Sequence, residues 1–257
     1  MTAGPLVSVV MPTFQRAWIL ERAIASVLAQ TMGDLELLVV DDGSTDATPE
    51  LLARISHPRL RTLRTPHAGA GAARNAALAH AQGSLIAYLD TDNVWHPEFL
   101  EVLTGELADD EVLAYGGLHR FLVEGTREDW RIVGRRIDSR PFNPVAMRRG
   151  SGIDTNAVLH RRAVLHEVGT FDEGLPRLLD WDLFARIALA HPFGVRHVDQ
   201  VLCDYYYFPS SITATITNAT MSDERLRSLF GLGEDDDATA LVRAKLDRFL
   251  MERAPQT

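Results

Sequence analysis

The chain has 257 residues, of which 46% are hydrophobic, enough to build one sizeable domain or two small ones. Its formal net charge of -9 argues against nucleic acid or an anionic membrane surface as the main partner, because both select a basic protein face. The single cysteine, Cys203, can form no internal disulfide bond, which fits a reducing cytoplasm. We expect it to be a small buried apolar side chain.

The sequence predicts no integral membrane segment. No stretch approaches the roughly 18 consecutive apolar residues of a membrane-spanning helix, and residues 1–5 lack the charged and apolar regions of a signal peptide. We therefore expect a cytoplasmic protein.

The first half of the chain alternates predicted strands and helices. Residues 6–11, 35–40, 60–63 and 85–89 are short apolar runs, as expected of strands buried on both faces. Between them, apolar residues recur at helical spacing from 19 to 28, Thr48 and Pro49 mark a helix start, and small residues from 72 to 81 predict a third helix. This order predicts an α/β fold with a Rossmann-like, mostly parallel central sheet and flanking helices.

The second half is less regular. Residues 112–116 and 157–160 predict strands, residues 163–168 and 180–190 predict helices, and the polar stretch 127–144 is interpreted as a loop. No segment rich in Pro, Gly or Ser separates two domains, so we expect this half to pack onto the sheet and cover its crevice. The acidic run 234–237 is interpreted as a solvated loop before a final helix.

Polar residues follow three of the predicted strands. Residues 12–16 follow the first, 41–42 the second and 90–92 the fourth, and ligands of such sheets bind outside the carboxyl ends of the strands. Asp90 and Asp92 are two residues apart, so both carboxylates point to one side of an extended segment. A divalent cation there would relieve their repulsion and hold a diphosphate. A solvated loop or a helix cap before Pro97 is the alternative.

Several motifs, in this order along the chain, resemble those of family 2 glycosyltransferases, which have the GT-A fold. They are VSVVMPTFQR at 7–16, VDDGSTD at 40–46, GAARN at 71–75 and LDTDN at 89–93. The segments VGTFDEG at 168–174 and LDWDLFAR at 179–186 are similar to the acceptor-side motif of that family.

The resemblance covers about residues 6–213 and implies a domain organisation. We expect one GT-A domain over 1–220, with a nucleotide-sugar half at about 1–110 and an acceptor half at about 111–220. A C-terminal helical extension over 221–257 would follow it.

The resemblance also implies roles for individual residues. Asp42 would accept a hydrogen bond from the nucleotide base, Asp90 would lie near the ribose, Asp92 would bind Mg²⁺ or Mn²⁺, and Asp180 would be the catalytic base. The other implied nucleotide-binding residues are Pro12, Thr13, Phe14, Arg16 and Arg74. The residues alone leave simpler alternatives: a turn at Asp42, a surface arginine at Arg74 and a helix N-cap at Asp180.

The chain departs from the family pattern at two positions. Leu179 stands where relatives often carry a glutamate before the base, and Phe208 stands where many carry a histidine that is a candidate metal ligand. A third protein ligand for the metal is therefore not predicted. Asp182, two residues after the base, should point elsewhere on its helix.

The function implied by the resemblance is metal-assisted, inverting transfer of a sugar from a nucleotide diphosphate sugar to an acceptor hydroxyl. UDP is the commonest nucleotide in the family, with dTDP or GDP as alternatives, and the acceptor is a small molecule or a glycan. Two other functions remain open: a sugar nucleotidyltransferase, although residues 12–16 lack the glycine-rich loop expected of one, and a non-catalytic nucleotide-sugar-binding protein.

Overall fold

The computed structural model describes residues 4–149, 152–175, 177–208 and 237–253. The strands are β1 Val7–Thr13, β2 Leu35–Asp41, β3 Leu60–Arg64, β4 Leu85–Tyr88, β5 Val94–Trp95, β6 Leu113–Gly125, β7 Trp130–Asp138, β8 Val158–Arg161 and β9 Val195–Tyr207. The helices are α1 Leu20–Leu28, α2 Thr48–Arg54, α3 Ala70–His80, α4 Phe99–Glu106, α5 Pro144–Arg149, α6 Val164–Val168, α7 Leu179–Ala190 and α8 Asp237–Arg253, and one turn of 3₁₀ helix spans Thr155–Ala157.

One sheet contains all nine strands found in the described residues. Its order is β3-β2-β1-β4-β8-β6-β9-β5, with β7 paired to β6 outside this path. The strands β3, β2, β1 and β4 are mutually parallel, as the alternation of strands and helices predicts. The strand β8 is antiparallel to β4 and β6, whereas β6 and β9 run parallel to each other.

Helices cover both faces of the sheet. On β1, Val10 packs into the apolar layer formed with α3 and α7, while Val9 and Met11 pack into the layer formed with α1 and α4. Adjacent strand residues therefore enter different layers, which explains why the predicted strands are continuously apolar. Cys203 is fully buried in the second layer, as expected.

The loop predicted at 127–144 is wrong for half of its length, because residues 130–138 form β7. β7 pairs antiparallel with β6, which is itself longer than the predicted strand at 112–116. Most side chains of β7 are exposed, so its sequence lacks the apolar run by which a buried strand is recognised. Its partner β6, rather than a local pattern, determines that this segment is a strand.

The last described helix, α8, packs against α7 with Val242 and Leu246 buried. A final helix was predicted, but the acidic residues 234–236 before it lie outside the described residues, as does the predicted boundary at 220. Within the described part of the chain, no helix combines the length and apolar character that crossing a bilayer requires.

Candidate active site

A cavity of about 510 Å³ lies at the carboxyl ends of β1, β2 and β4. Its size is that of a small-molecule site. Every site residue predicted from the sequence lines it: Pro12, Thr13, Phe14, Arg16, Asp42, Arg74, Asp90, Asp92 and Asp180. The fold thus brings together side chains that are up to 168 positions apart in the sequence.

Asp90 is held in place by two neighbours. Arg74 of α3 donates a hydrogen bond to its carboxylate at 2.5 Å, and the two side chains form an ion pair. The buried side chain of Asn156 accepts from the Asp90 backbone amide at 2.7 Å and donates to its carboxylate at 3.3 Å. Arg74 is itself buried, so the alternative of an ordinary surface arginine is wrong.

Asp92 lacks comparable partners. No other side chain among the described residues hydrogen-bonds to its carboxylate, although Arg16 exerts an attractive charge on it. Burial, and then the negative charge of Asp90, raises the pKa of Asp92 to about 6. A partly buried carboxylate without a bonding partner, beside a second carboxylate, is a position that a divalent cation would stabilise.

Asp42 is buried and well bonded. Its carboxylate accepts from the backbone amides of Ala68 at 3.0 Å and Gly69 at 2.8 Å and from the Thr65 hydroxyl at 3.3 Å, and it lies 2.8 Å from His67 Nδ1. It therefore fixes the loop between β3 and α3 against the end of β2. A hydrogen bond from a nucleotide base must share an oxygen with these donors or displace one of them.

An aromatic pair stands beside Asp42 in the cavity. The rings of Phe14 and His67 are stacked, with centroids 4.0 Å apart and planes inclined by 13°. Gly43, with φ of +77°, permits this approach, because a Cβ atom there would lie 2.9 Å from the backbone nitrogen of His67. Planar rings at the wall of a cavity suit a planar base.

Asp180 lies in the first turn of α7. The N-cap of this helix is Leu178, in the left-handed region at φ 61°, and it makes no side-chain capping bond, so the alternative of an Asp180 N-cap is wrong. Burial, followed by the negative charge of Asp154, raises the pKa of Asp180 to about 6. The group can hold or release a proton near neutral pH.

Asp182 points away from the cavity, as predicted. It is fully buried and accepts hydrogen bonds from Arg186 at 2.6 Å and Lys245 of α8 at 2.9 Å. Two cations compensate its charge, which is the usual condition for a buried carboxylate.

Sequence reasoning missed several residues of the cavity wall. Asp154, Asn156, His67 and Tyr205 all line it, and Arg120 positions Asp154 by donating to its carboxylate at 3.0 Å. They come from three separate segments of the chain. His67 lies in the loop after β3, Asp154 and Asn156 precede β8, and Tyr205 lies on β9, so only the tertiary structure brings these side chains to the site.

Phe208 has a packing role in this fold. It lies directly after β9 in a small apolar cluster, with its ring edge-on to those of Trp18 and Trp130. The aromatic ring that replaces the family's histidine thus faces other aromatic rings and supplies no metal ligand.

Comparison with known proteins shows which family the chain belongs to. The family model described as Glycosyl transferase family 2 matches residues 8–168, which is more than half of the chain. A chondroitin synthase of Pasteurella multocida (strain Pm70) is 38% identical over 204 residues, or 77% of this chain. The chain spans 20% of the length of that synthase.

Solved structures share the fold. S. aureus TarS 1–349 in complex with UDP-GlcNAc has a TM-score of 0.66 and 17% identity, covering 96% of this chain and 73% of that one. The mannosyltransferase PcManGT from Pyrobaculum calidifontis, in complex with GDP-Man and Mn²⁺, has a TM-score of 0.62 and 20% identity, covering 100% of this chain and 77% of that one. The chain belongs to glycosyl transferase family 2 and has the GT-A fold.

Proposed function

We propose that this chain transfers a sugar, with inversion, from a nucleotide diphosphate sugar to the hydroxyl group of an acceptor. The observation that carries the proposal is the cavity at the strand ends, in which Asp42, Asp92 and Asp180 line one connected space. A base pocket, a cation ligand and a proton acceptor are the parts that such a transfer needs.

Asp92 is the proposed protein ligand for Mg²⁺ or Mn²⁺. Its pKa is raised, it lacks a bonded cationic side chain among the described residues, and Asp90 is already engaged by Arg74. These properties fit a cation held by one carboxylate together with the donor's phosphates. When bound, such a cation offsets the negative charge that develops on the leaving diphosphate. The Mn²⁺ complex of PcManGT supports this assignment.

Asp180 is the proposed general base. As the acceptor oxygen attacks the anomeric carbon, its proton passes to the Asp180 carboxylate, and the bond from that carbon to the diphosphate breaks. A pKa raised to about 6 leaves most of the group ionised at neutral pH while making it a stronger base than an ordinary aspartate. Attack opposite the leaving group inverts the anomeric configuration.

The donor is proposed to be a UDP-sugar, with a GDP- or dTDP-sugar as the alternatives. The stacked Phe14 and His67 rings offer a surface for the base, and Arg16 and Arg74 bring positive charge to the phosphates. The complexes of TarS with UDP-GlcNAc and of PcManGT with GDP-Man support a nucleotide-sugar donor. The chondroitin synthase relative favours a glycan acceptor over a small molecule.

A release assay tests the proposal. The chain is incubated with UDP-GlcNAc or GDP-Man, with Mn²⁺ or with a chelator, and nucleoside diphosphate release is followed, while NMR reads the anomeric configuration of the sugar product. We expect metal-dependent release and inversion. Binding without release would indicate a non-catalytic protein. Pyrophosphate formed from a sugar phosphate and a nucleoside triphosphate would indicate a nucleotidyltransferase.

A further inference from the structure

Three potential metal ligands converge outside the cavity. They are His96, directly after β5, His119 on β6 and Asp204 on β9, and their ligand atoms all lie within 4.8 Å of one another. His96 Nε2 is 3.0 Å and His119 Nδ1 is 3.1 Å from the same oxygen, Asp204 Oδ1. None of the three lines the proposed donor cavity.

The cluster lies outside that cavity, and Asp204 points away from it. Successive residues of a strand face opposite sides, and Tyr205, the neighbour of Asp204, lines the donor cavity. His119 is the direct partner of Asp204 in the parallel pairing of β6 and β9, which places both side chains on one face. The cluster is therefore distinct from the proposed Asp92 site.

The separations match those of ligands around one ion. Two ligand atoms that coordinate tetrahedral Zn²⁺ at about 2.0–2.1 Å lie roughly 3.3 Å apart. The nitrogen-to-oxygen distances of 3.0 and 3.1 Å are close to this value. Each side chain is about a quarter exposed, so an ion can reach it from solvent.

The ligand types favour a transition metal. Imidazole nitrogen suits Zn²⁺ and its neighbours, whereas Mg²⁺ prefers oxygen ligands. Three protein ligands leave a fourth tetrahedral position for water.

We propose that His96, His119 and Asp204 bind one Zn²⁺ ion. The ion joins the end of the short edge strand β5 to β6 and β9, and β5 begins only two residues after Asp92. The ion would tie down the segment that follows Asp92. This inference does not rest on the proposed transferase activity. The competing explanation is a metal-free hydrogen-bonded triad, in which both histidines donate to Asp204.

Zinc titration of the full chain separates the two explanations. Chelator-treated protein is titrated with ZnCl₂ in the absence of nucleotide, by calorimetry and by melting temperature. We expect one equivalent to bind and the melting temperature to rise by mass action. Co²⁺ in place of zinc should give the visible absorption of a tetrahedral site. A triad without metal predicts no uptake at low-micromolar zinc and no shift, and that result would overturn the proposal.

Variants then locate the ion. Asp204→Asn and His119→Gln keep side chains that can form hydrogen bonds. Each should weaken zinc binding by at least about 10-fold, because replacing even a residue that only hydrogen-bonds to a metal ligand can lower the affinity that much. His191→Gln is the matched control, because His191 pairs with a carboxylate, Glu167, at 2.9 Å and no third potential ligand joins them within the described residues. This variant should bind zinc normally. Asp92→Ala should also bind zinc normally. Uptake lost in Asp92→Ala, or unchanged in both ligand variants, would refute the site.

Discussion

Replacing Asp180 by Asn is expected to make the protein more stable and far less active. The change preserves the shape of the side chain but removes its charge and its capacity to accept a proton. Transfer should fall by roughly 10²-fold or more, as happens when a general base is lost. Because Asp180 is not the N-cap of α7, the substitution removes no capping bond.

The gain in stability follows from the pKa. Burial and the charges of Asp154 and Asp90 raise the pKa of Asp180 from 3.8 to about 6. One pKa unit corresponds to about 1.4 kcal/mol, so keeping the carboxylate ionised costs the folded state up to about 3 kcal/mol. The side chain is only partly buried and opens into the cavity. Solvent screening reduces the cost, and we expect a gain of about 1 kcal/mol in the free energy of unfolding.

The pH dependence has a definite sign. Folding raises the pKa of this carboxyl group, so its contribution to stability is fully present at pH values below the pKa that it has in the unfolded chain. The contribution is lost as the pH rises through the folded-state pKa of about 6. Asparagine does not titrate. The stability advantage of the variant should therefore grow between about pH 4 and 6 and stay constant above about pH 7. The kcat/KM of the wild type should rise over the same interval.

Urea unfolding at several pH values, donor affinity and turnover are measured on the same preparation. Asp172→Asn is the control, since Lys245 donates to Asp172 and holds its pKa below the usual value, so this variant should lose stability at neutral pH. Wild-type turnover in Asp180→Asn would refute the catalytic assignment. A variant less stable than the wild type at pH 8 would refute the electrostatic reasoning.

Three other variants test neighbouring parts of the structure. Asp92→Ala should fold but lose metal-dependent nucleotide binding. Calorimetry showing tight Mn²⁺ uptake without nucleotide that disappears in Asp92→Ala would contradict a one-carboxylate site. Asp42→Ala should weaken UDP binding by about 1–3 kcal/mol. It should also lower the melting temperature, because the β3–α3 loop loses its hydrogen bonds to the Asp42 carboxylate. Unchanged UDP affinity would show that Asp42 is not part of the base pocket. Lys245→Met should lower the free energy of unfolding in urea by about 1–3 kcal/mol, because buried Asp182 loses one of its two cations. An unchanged urea midpoint would show that this ion pair does not stabilise the fold.

The sequence alone determined the parallel half of the fold and the position of the cavity. The strands β1, β2 and β4 are buried on both faces, so their apolar runs are visible without any neighbour, and the polar residues that follow them must meet at one edge. Asp90 and Asp92 were recognisable because their spacing is local. The resemblance of the motifs to family 2 glycosyltransferases added Asp180, which no local pattern could assign to the same cavity.

Only the tertiary structure decided the rest. The strand β7 is exposed and exists because β6 offers it a partner, so its own sequence carries no strand signal. Asn156 positions Asp90 across 66 residues, and the paired histidines meet Asp204 across 108 and 85 residues. Single polar residues at such separations have no periodicity to reveal them, because their proximity depends on the order in which the strands pair.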